Sequence, residues 1–227
     1  MKQESILLFS QIENLPNFTS KLQKTLSLNR LSKKTNDMLD SFFSRIHESH
    51  DAWEKQETDI IESFNELIWD DIKDKVGESN FLYIPSPLRD SIRNTCVKYV
   101  TFLIPFENRK FQIYFCLRSL HTNDNLYNIL YFTFLWLHFV NGYISDHLCS
   151  STVNIFLYFI PDKKKFPNQF NETVDKENIN TAFTTTCQPH TNVFIFREEE
   201  WFRALIHESF HNLGLDFASM TGIQTEE

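Results

Sequence analysis

From residue 36 to residue 76 the chain has no Gly or Pro, and apolar residues recur at helical spacing: Leu39, Phe42, Phe43, Ile46, Trp53, Ile60, Ile61, Phe64, Leu67, Ile68, Ile72 and Val76. The pattern predicts one very long helix or a helical hairpin bent at the polar stretch 47–51. Ahead of it, residues 1–34 open on Ile6, Leu7, Leu8 and Phe9 and predict a short helix after Pro16. Gly77 ends the helical run, and the Pro85 and Pro87 pair predicts a stiff extended linker. The expected organisation is therefore a helical region over residues 1–80 and a second domain over 81–227.

Beyond residue 80 the period changes. Residues 99–104 and 111–117 are β-branched and aromatic runs separated by a polar tip, which predicts a hairpin. Both runs are apolar on both faces, as expected of strands in a sheet covered by helices. Residues 126–144 are apolar nearly all round and approach the length of a membrane span. Asn128, Thr133, His138 and Asn141 interrupt the run and no basic anchor flanks it, so a buried core helix is expected, with His138 a satisfied core histidine. A strand over 153–160 ends at Pro161, and a long polar loop follows over 162–180, placed to act as a lid. The polar, β-prone run 181–186 suits an edge strand, and 193–196 a central one.

The last pattern carries the candidate chemistry. Residues 198–213 predict a helix whose first turn holds Glu198, Glu199 and Glu200, facing the positive end of the helix dipole, and which Gly214 ends. Within it, His207, Glu208 and His211 form HExxH. At about 100° per residue the two histidines lie roughly 40° apart, one turn from each other, so two imidazoles can reach one metal ion. Glu208 falls between them and the next face, where its carboxylate can reach a water molecule without ligating. Phe202, Ile206, Phe210 and Leu213 gather opposite and are expected to be the buried back of the helix, with Ala204 beneath the metal face.

These residues resemble the zincin metallopeptidases, and the HExxHxxG run followed by an acidic residue looks most like their metzincin branch. The resemblance implies His207 and His211 as ligands of Zn2+ and Glu208 as catalytic base. The chain departs from the branch where the third ligand should stand, because that residue is Phe217. Asp216, one residue earlier, is the third ligand only if the turn after Gly214 is tighter than in the family. A later glutamate ligand has only Glu226 and Glu227 to draw on, and Met220 comes early for the family's methionine turn. The order of elements from residue 97 to 217 also resembles the upper half of a zincin: a twisted mixed sheet over two helices, with an edge strand, near 180–186, that would bind an extended peptide by strand addition.

Charge and cysteines narrow the setting. A net charge of −8 argues against nucleic acid as a partner. The only basic run, Lys163 to Lys165, is expected to be a solvated loop. Cys96, Cys116, Cys149 and Cys187 show no CxxC spacing, and the first residues lack a signal-peptide pattern, so reduced thiols and a cytoplasmic, intracellular setting are expected. The sequons at Asn17 and Asn171 then carry no glycan. Twenty-three phenylalanines and four glycines resemble, in composition only, zincin-like proteins of large DNA viruses. His47 and His50 are expected on a surface helix, and His190 stands in the loop before the last strand.

The expectation is an α+β fold: a zincin-like twisted mixed β-sheet packed on a core helix and the HExxH helix, preceded by an all-helical N-terminal region. The expected function is a zinc-dependent hydrolase acting on a peptide or protein substrate, without a membrane span. The alternative is a catalytically inactive zincin-like structural or interaction protein, such as a virion component, that docks a protein partner through its N-terminal helices.

Overall fold

The computed structural model describes residues 32–96, 98–117, 123–144, 149–164, 180–186 and 188–216. The expected short helix after Pro16, the body of the 162–180 loop, both sequons and Phe217 lie outside the described residues. The elements in chain order are α1 (Lys33–Glu62), β1 (Asn65–Ile68), α2 (Trp69–Val76), α3 (Glu78–Phe81), α4 (Ser86–Thr95), β2 (Lys98–Phe106), β3 (Arg109–Leu117), α5 (Asn123–Asn141), β4 (Thr152–Ile160), β5 (Ala182–Thr184), β6 (His190–Arg197), a 3-10 turn (Glu198–Glu200) and α6 (Trp201–Asn212). The fold is α+β around a six-stranded mixed sheet of order β1-β2-β3-β4-β6-β5. β3, β4 and β6 run parallel, whereas β1, β2 and β5 pair antiparallel with their neighbours.

The chain divides into two compact units, Met1–Arg45 and Ile46–Glu227. The expected boundary near residue 80 falls inside the second. Of the first unit the described part is the start of α1. There the Ser32 hydroxyl accepts the Thr35 backbone N–H at 3.1 Å, an N-cap, and Met38, Leu39, Phe42 and Phe43 are exposed.

In the second unit the long helical pattern resolves differently from either expectation. α1 continues unbent through residues 47–51, so there is no hairpin, but it ends at Glu62, and four residues of the presumed helix form β1. The Ser63 hydroxyl sits at this change of direction, donating to the Ile60 carbonyl at 2.6 Å and accepting the Leu103 N–H of β2 at 2.8 Å. Such a long-range contact leaves no mark on local periodicity. The expected linker is also corrected: Pro85 caps α4 and Pro87 stands in its first turn, where a missing N–H costs nothing.

Strict alternation along the strands makes two cores, one on each face of the sheet. On one face Val100, Phe102, Ile113, Phe115, Ile155, Leu157, Val193 and Ile195 pack with Trp53 and Ile60 of α1, Leu130, Phe134 and Leu137 of α5, and Leu205 of α6. On the other face Tyr99, Tyr114, Phe156, Tyr158, Phe194 and Phe196 pack with Ile72, Phe81, Leu88 and Ile92 of α2, α3 and α4. The expectation that these strands are covered on both faces therefore holds. α5 buries Leu130, Phe134, Leu137 and Val140 against the sheet but leaves Tyr127 and Phe132 exposed, so it is a core helix on one side only; among the described residues no helix is long and apolar enough to cross a membrane. His138 is satisfied within the core, with Nδ1 3.0 Å from the Ser49 hydroxyl and its ring stacked on Phe134.

The cysteines overturn the reading of reduced thiols. Cys96, just after α4, and Cys116 on β3 form a disulfide with Cα atoms 5.3 Å apart, and Cys149 is also disulfide-bonded. Twenty residues separate Cys96 from Cys116 in sequence, and only the return of β3 across the sheet brings them together. The cytoplasmic setting loses the support it drew from unpaired cysteines.

Candidate active site

α6 follows β6 through the turn Glu198–Glu200, and those three carboxylates do more than meet a dipole. The Glu199 carboxylate accepts the Lys164 backbone N–H at 3.1 Å. The Glu200 carboxylate accepts from the Lys164 ammonium at 2.5 Å and the Thr181 hydroxyl at 3.1 Å. The Lys164 hydrogen bond holds the Glu200 carboxyl below its ordinary range. Buried Arg197 donates to the Asp162 carbonyl at 2.7 Å and the Asn180 carbonyl at 3.0 Å, so one side chain ties both stems of the 162–180 connection. Lys164, expected in a solvated loop, is thus a fixed cation beside the helix.

Of the apolar back expected for this helix only Leu213 is fully buried, and the rest of the buried face is a different one. Ala204, Leu205, Glu208, Ser209 and Asn212 are buried, while Phe210 is exposed and Phe202 and Ile206 are partly so. The reason lies in the groups this face meets. The Asn212 amide donates to the Thr184 hydroxyl at 3.0 Å and the Thr185 carbonyl at 2.9 Å, and the Trp136 indole of α5 donates to the Ser209 hydroxyl at 2.8 Å. Small and hydrogen-bonding side chains therefore let α6 lie close under the edge strand. Phe202 and Phe210 instead lean on Phe132 and Trp136 along the flank of α5.

His207 and His211 come together on the open side of this helix, with Nε2 atoms 3.3 Å apart. Two nitrogens at about 2.0–2.1 Å from one tetrahedral zinc stand roughly 3.3–3.4 Å apart, so the pair already has the separation that shared ligation requires. Asp216 is not on that side. Its carboxylate lies 2.5 Å from Nδ1 of His211, and because a carboxylate only accepts, it favours the ring form with the proton on Nδ1, which in the neutral imidazole leaves the Nε2 lone pair for a metal. Asp216, expected as the third ligand, thus meets His211 through Nδ1, the ring nitrogen other than the one that faces His207. Among the described residues no three of His, Cys, Asp and Glu form a group able to hold a metal ion.

The turn that brings Asp216 back depends on Gly214, which takes φ of 65°. The Leu215 N–H donates to the Phe210 carbonyl at 2.9 Å and the Gly214 N–H to the His211 carbonyl at 3.3 Å, the paired bonds of a Schellman end. Gly214→Ala is expected to destabilise the fold by about 1 kcal/mol, through the left-handed backbone it would force on a side chain; urea unfolding measures this.

Glu208 is 8 % exposed, and burial pushes its carboxyl up to about 7, against a smaller downward pull from His211. It lines, with His207, a cleft of about 270 Å³ between the first half of α6 and the edge strand, whose walls include Lys164, Thr181, Ala182, Glu200 and Arg203. A carboxyl in a cleft whose hold on its proton is strengthened in this way is suited to taking and giving protons near neutrality. The structure thus brings Nε2 of His207 and His211 together, sets the Asp216 carboxylate against Nδ1 of His211, and buries Glu208 between the two histidines in sequence. His190, exposed at the start of β6, is not among the residues lining the cleft. His50 meets the Tyr131 hydroxyl at 3.1 Å. Lys164, expected in a solvated loop, and Arg203, which the sequence reading passed over, belong to the cleft; Arg203 could have been found three residues after Glu200, whereas no local signal marked Lys164. Compared with family models, with curated proteins and with solved structures, the chain matches none, and its site is argued from its own geometry alone.

Proposed function

We propose that the chain is a zinc-dependent peptidase of zincin type, in which His207 and His211 hold the metal, Asp216 orients His211, and Glu208 is the general base. The observation that carries this reading is the facing pair of Nε2 atoms beside a buried carboxylate whose affinity for protons is tuned to neutrality. Zinc bound there supplies a Lewis acid that acidifies water and polarises a carbonyl. Glu208 takes a proton from the attacking water and returns it to the leaving amine. Asp216 holds His211 in the tautomer that leaves Nε2 free, a role in which loss of the carboxylate weakens rather than abolishes binding. β5, antiparallel at the sheet edge and directly above α6, supports a substrate bound as an added strand.

Zinc content of the purified protein and its variants tests the site. Wild type is expected to hold about one zinc, Glu208→Gln to keep it, and His207→Ala to lose it. Asp216→Ala should bind zinc about tenfold to a hundredfold more weakly, as an orienting partner does. A wild-type protein that takes up no zinc after dialysis against the metal overturns the reading. The lack of a third ligand among the described residues favours a second reading, a zincin-shaped interaction protein with a vestigial metal site; it predicts little or no zinc held and no hydrolysis of any peptide offered.

A further inference from the structure

On the face of the sheet turned away from α6, four rings stand side by side across four strands: Tyr114 on β3, Phe156 on β4, Phe194 on β6 and Phe183 on β5. Each pair is in register. The centroids are 4.7, 5.0 and 4.6 Å apart, with interplanar angles of 15°, 9° and 18°. This is the spacing of neighbouring strands, so the rings stack as the backbone does. The inner end is closed by the Lys75 ammonium, which donates to the Tyr114 hydroxyl at 2.9 Å. The outer end is not closed in the same way. Phe183 is only partly buried, and the ring of Tyr83, 67 % exposed, lies 5.6 Å from it at a tilt of 47°.

Among the described residues β5 is the outermost strand, and its outer backbone edge pairs with no further strand at the same place. Thr181 accepts from the Phe196 N–H and Thr185 donates to the Asn192 carbonyl, each at 3.0 Å, so odd-numbered residues face β6. Ala182 and Thr184 therefore turn their N–H and C=O groups outward, and these are the groups an added strand would bind. The residue of that strand lying beside Phe183 projects to the ladder face, and its immediate neighbours project to the cleft beside Glu208.

We propose that this chain selects extended peptides carrying an aromatic or large apolar side chain at the position beside Phe183, where it forms the fifth rung of the ladder and packs against Tyr83. The inference rests on β5 as the strand to which a peptide substrate adds, and it adds the specificity that the ladder imposes. Because strand side chains alternate, the selected residue lies an odd number of residues from those that enter the cleft.

The test uses full-length Glu208→Gln protein and fluorescein-labelled, acetylated peptides of about eight Ala and Thr residues, with a single Phe moved through each position, read by fluorescence anisotropy. At the favoured position Phe is expected to bind about fivefold more tightly than Ala, and the ratio to fall towards one in Tyr83→Ala and in Phe183→Thr. Tyr83 is a surface residue, so its variant keeps the fold if Phe183→Thr does not. A ratio near one at every position, a preference that survives Tyr83→Ala, or no binding of any of these peptides overturns the proposal. Cleavage by the zinc-loaded wild type is read separately. Peptides bound with the aromatic preference but left intact sink the peptidase reading and leave this one standing. Cleavage without the preference does the reverse.

Discussion

Replacing Glu208 by Gln is expected to lower peptide hydrolysis by about a hundredfold to ten-thousandfold, the range that removal of a positioned general base spans, while zinc content stays at the wild-type level. Gln has the same shape and keeps a carbonyl oxygen for hydrogen bonding, but it cannot accept and hand on a proton at neutral pH. The effect should appear in kcat and in kcat/KM alike, because the proton moves only in the transition state. The burial of Glu208 gives the result its meaning. An exposed carboxylate with an ordinary acidity would be a weak base, whereas one pushed up to about 7 by desolvation holds a proton well enough to take it and weakly enough to release it. Hydrolysis within about tenfold of wild type in the variant would place the base elsewhere and return Glu208 to a structural role.

The same burial makes a second prediction, about stability. In metal-free protein Glu208 has an ordinary value of 4.5 when unfolded and about 7 when folded. Below pH 4.5 both states are protonated and its contribution is fully present. Between the two values the unfolded chain ionises and the folded one does not, so stability falls as pH rises. Above 7 the folded protein carries a buried carboxylate, and the loss is complete, about 3 kcal/mol. Urea unfolding in the presence of a chelator, from pH 4 to pH 9, measures it as the difference between wild type and Glu208→Gln. The variant is expected to be the more stable protein at pH 8, by that amount, with the gap closing as pH falls towards 4.5. A difference that does not change with pH would show that Glu208 is hydrated in the folded protein. The two predictions are coupled: a substitution that stabilises the fold and removes turnover identifies a residue kept for chemistry.

Much of the site was legible before folding because its geometry is local. An HExxH spacing puts two imidazoles one turn apart on any helix, and a glycine after the helix permits the left-handed turn that reverses the chain. The helix, its glycine stop, and the partnership of His207, His211 and Glu208 follow from those facts. The role of Asp216 did not, since its distance in sequence fits either a ligand or an orienting partner, and only the Schellman turn decides that its carboxylate reaches Nδ1 of His211. The strands of the covered sheet and the core helix α5 were readable for the same local reason, their predominantly apolar runs.

Tertiary structure decided the rest. Residues 65–68 carry the helical period of their neighbours yet form β1, because β2 offers an edge to pair with and the backbone hydrogen bonds outweigh a weak local preference. α6 buries Ser209 and Asn212 in place of Phe210, because the sheet edge above it presents hydroxyl and carbonyl groups that polar side chains can satisfy. Cys96 and Cys116 pair, Lys164 meets Glu200, and four aromatic rings from four strands align, each through contacts between residues far apart in the chain. The sequence by itself determined the α+β class and the arrangement of the two histidines and the glutamate, which depend on spacing along one helix. Only the folded chain decided which side of that helix is buried, what closes the cleft, and how the edge strand can choose a peptide, because each depends on groups brought together from separate segments of the chain.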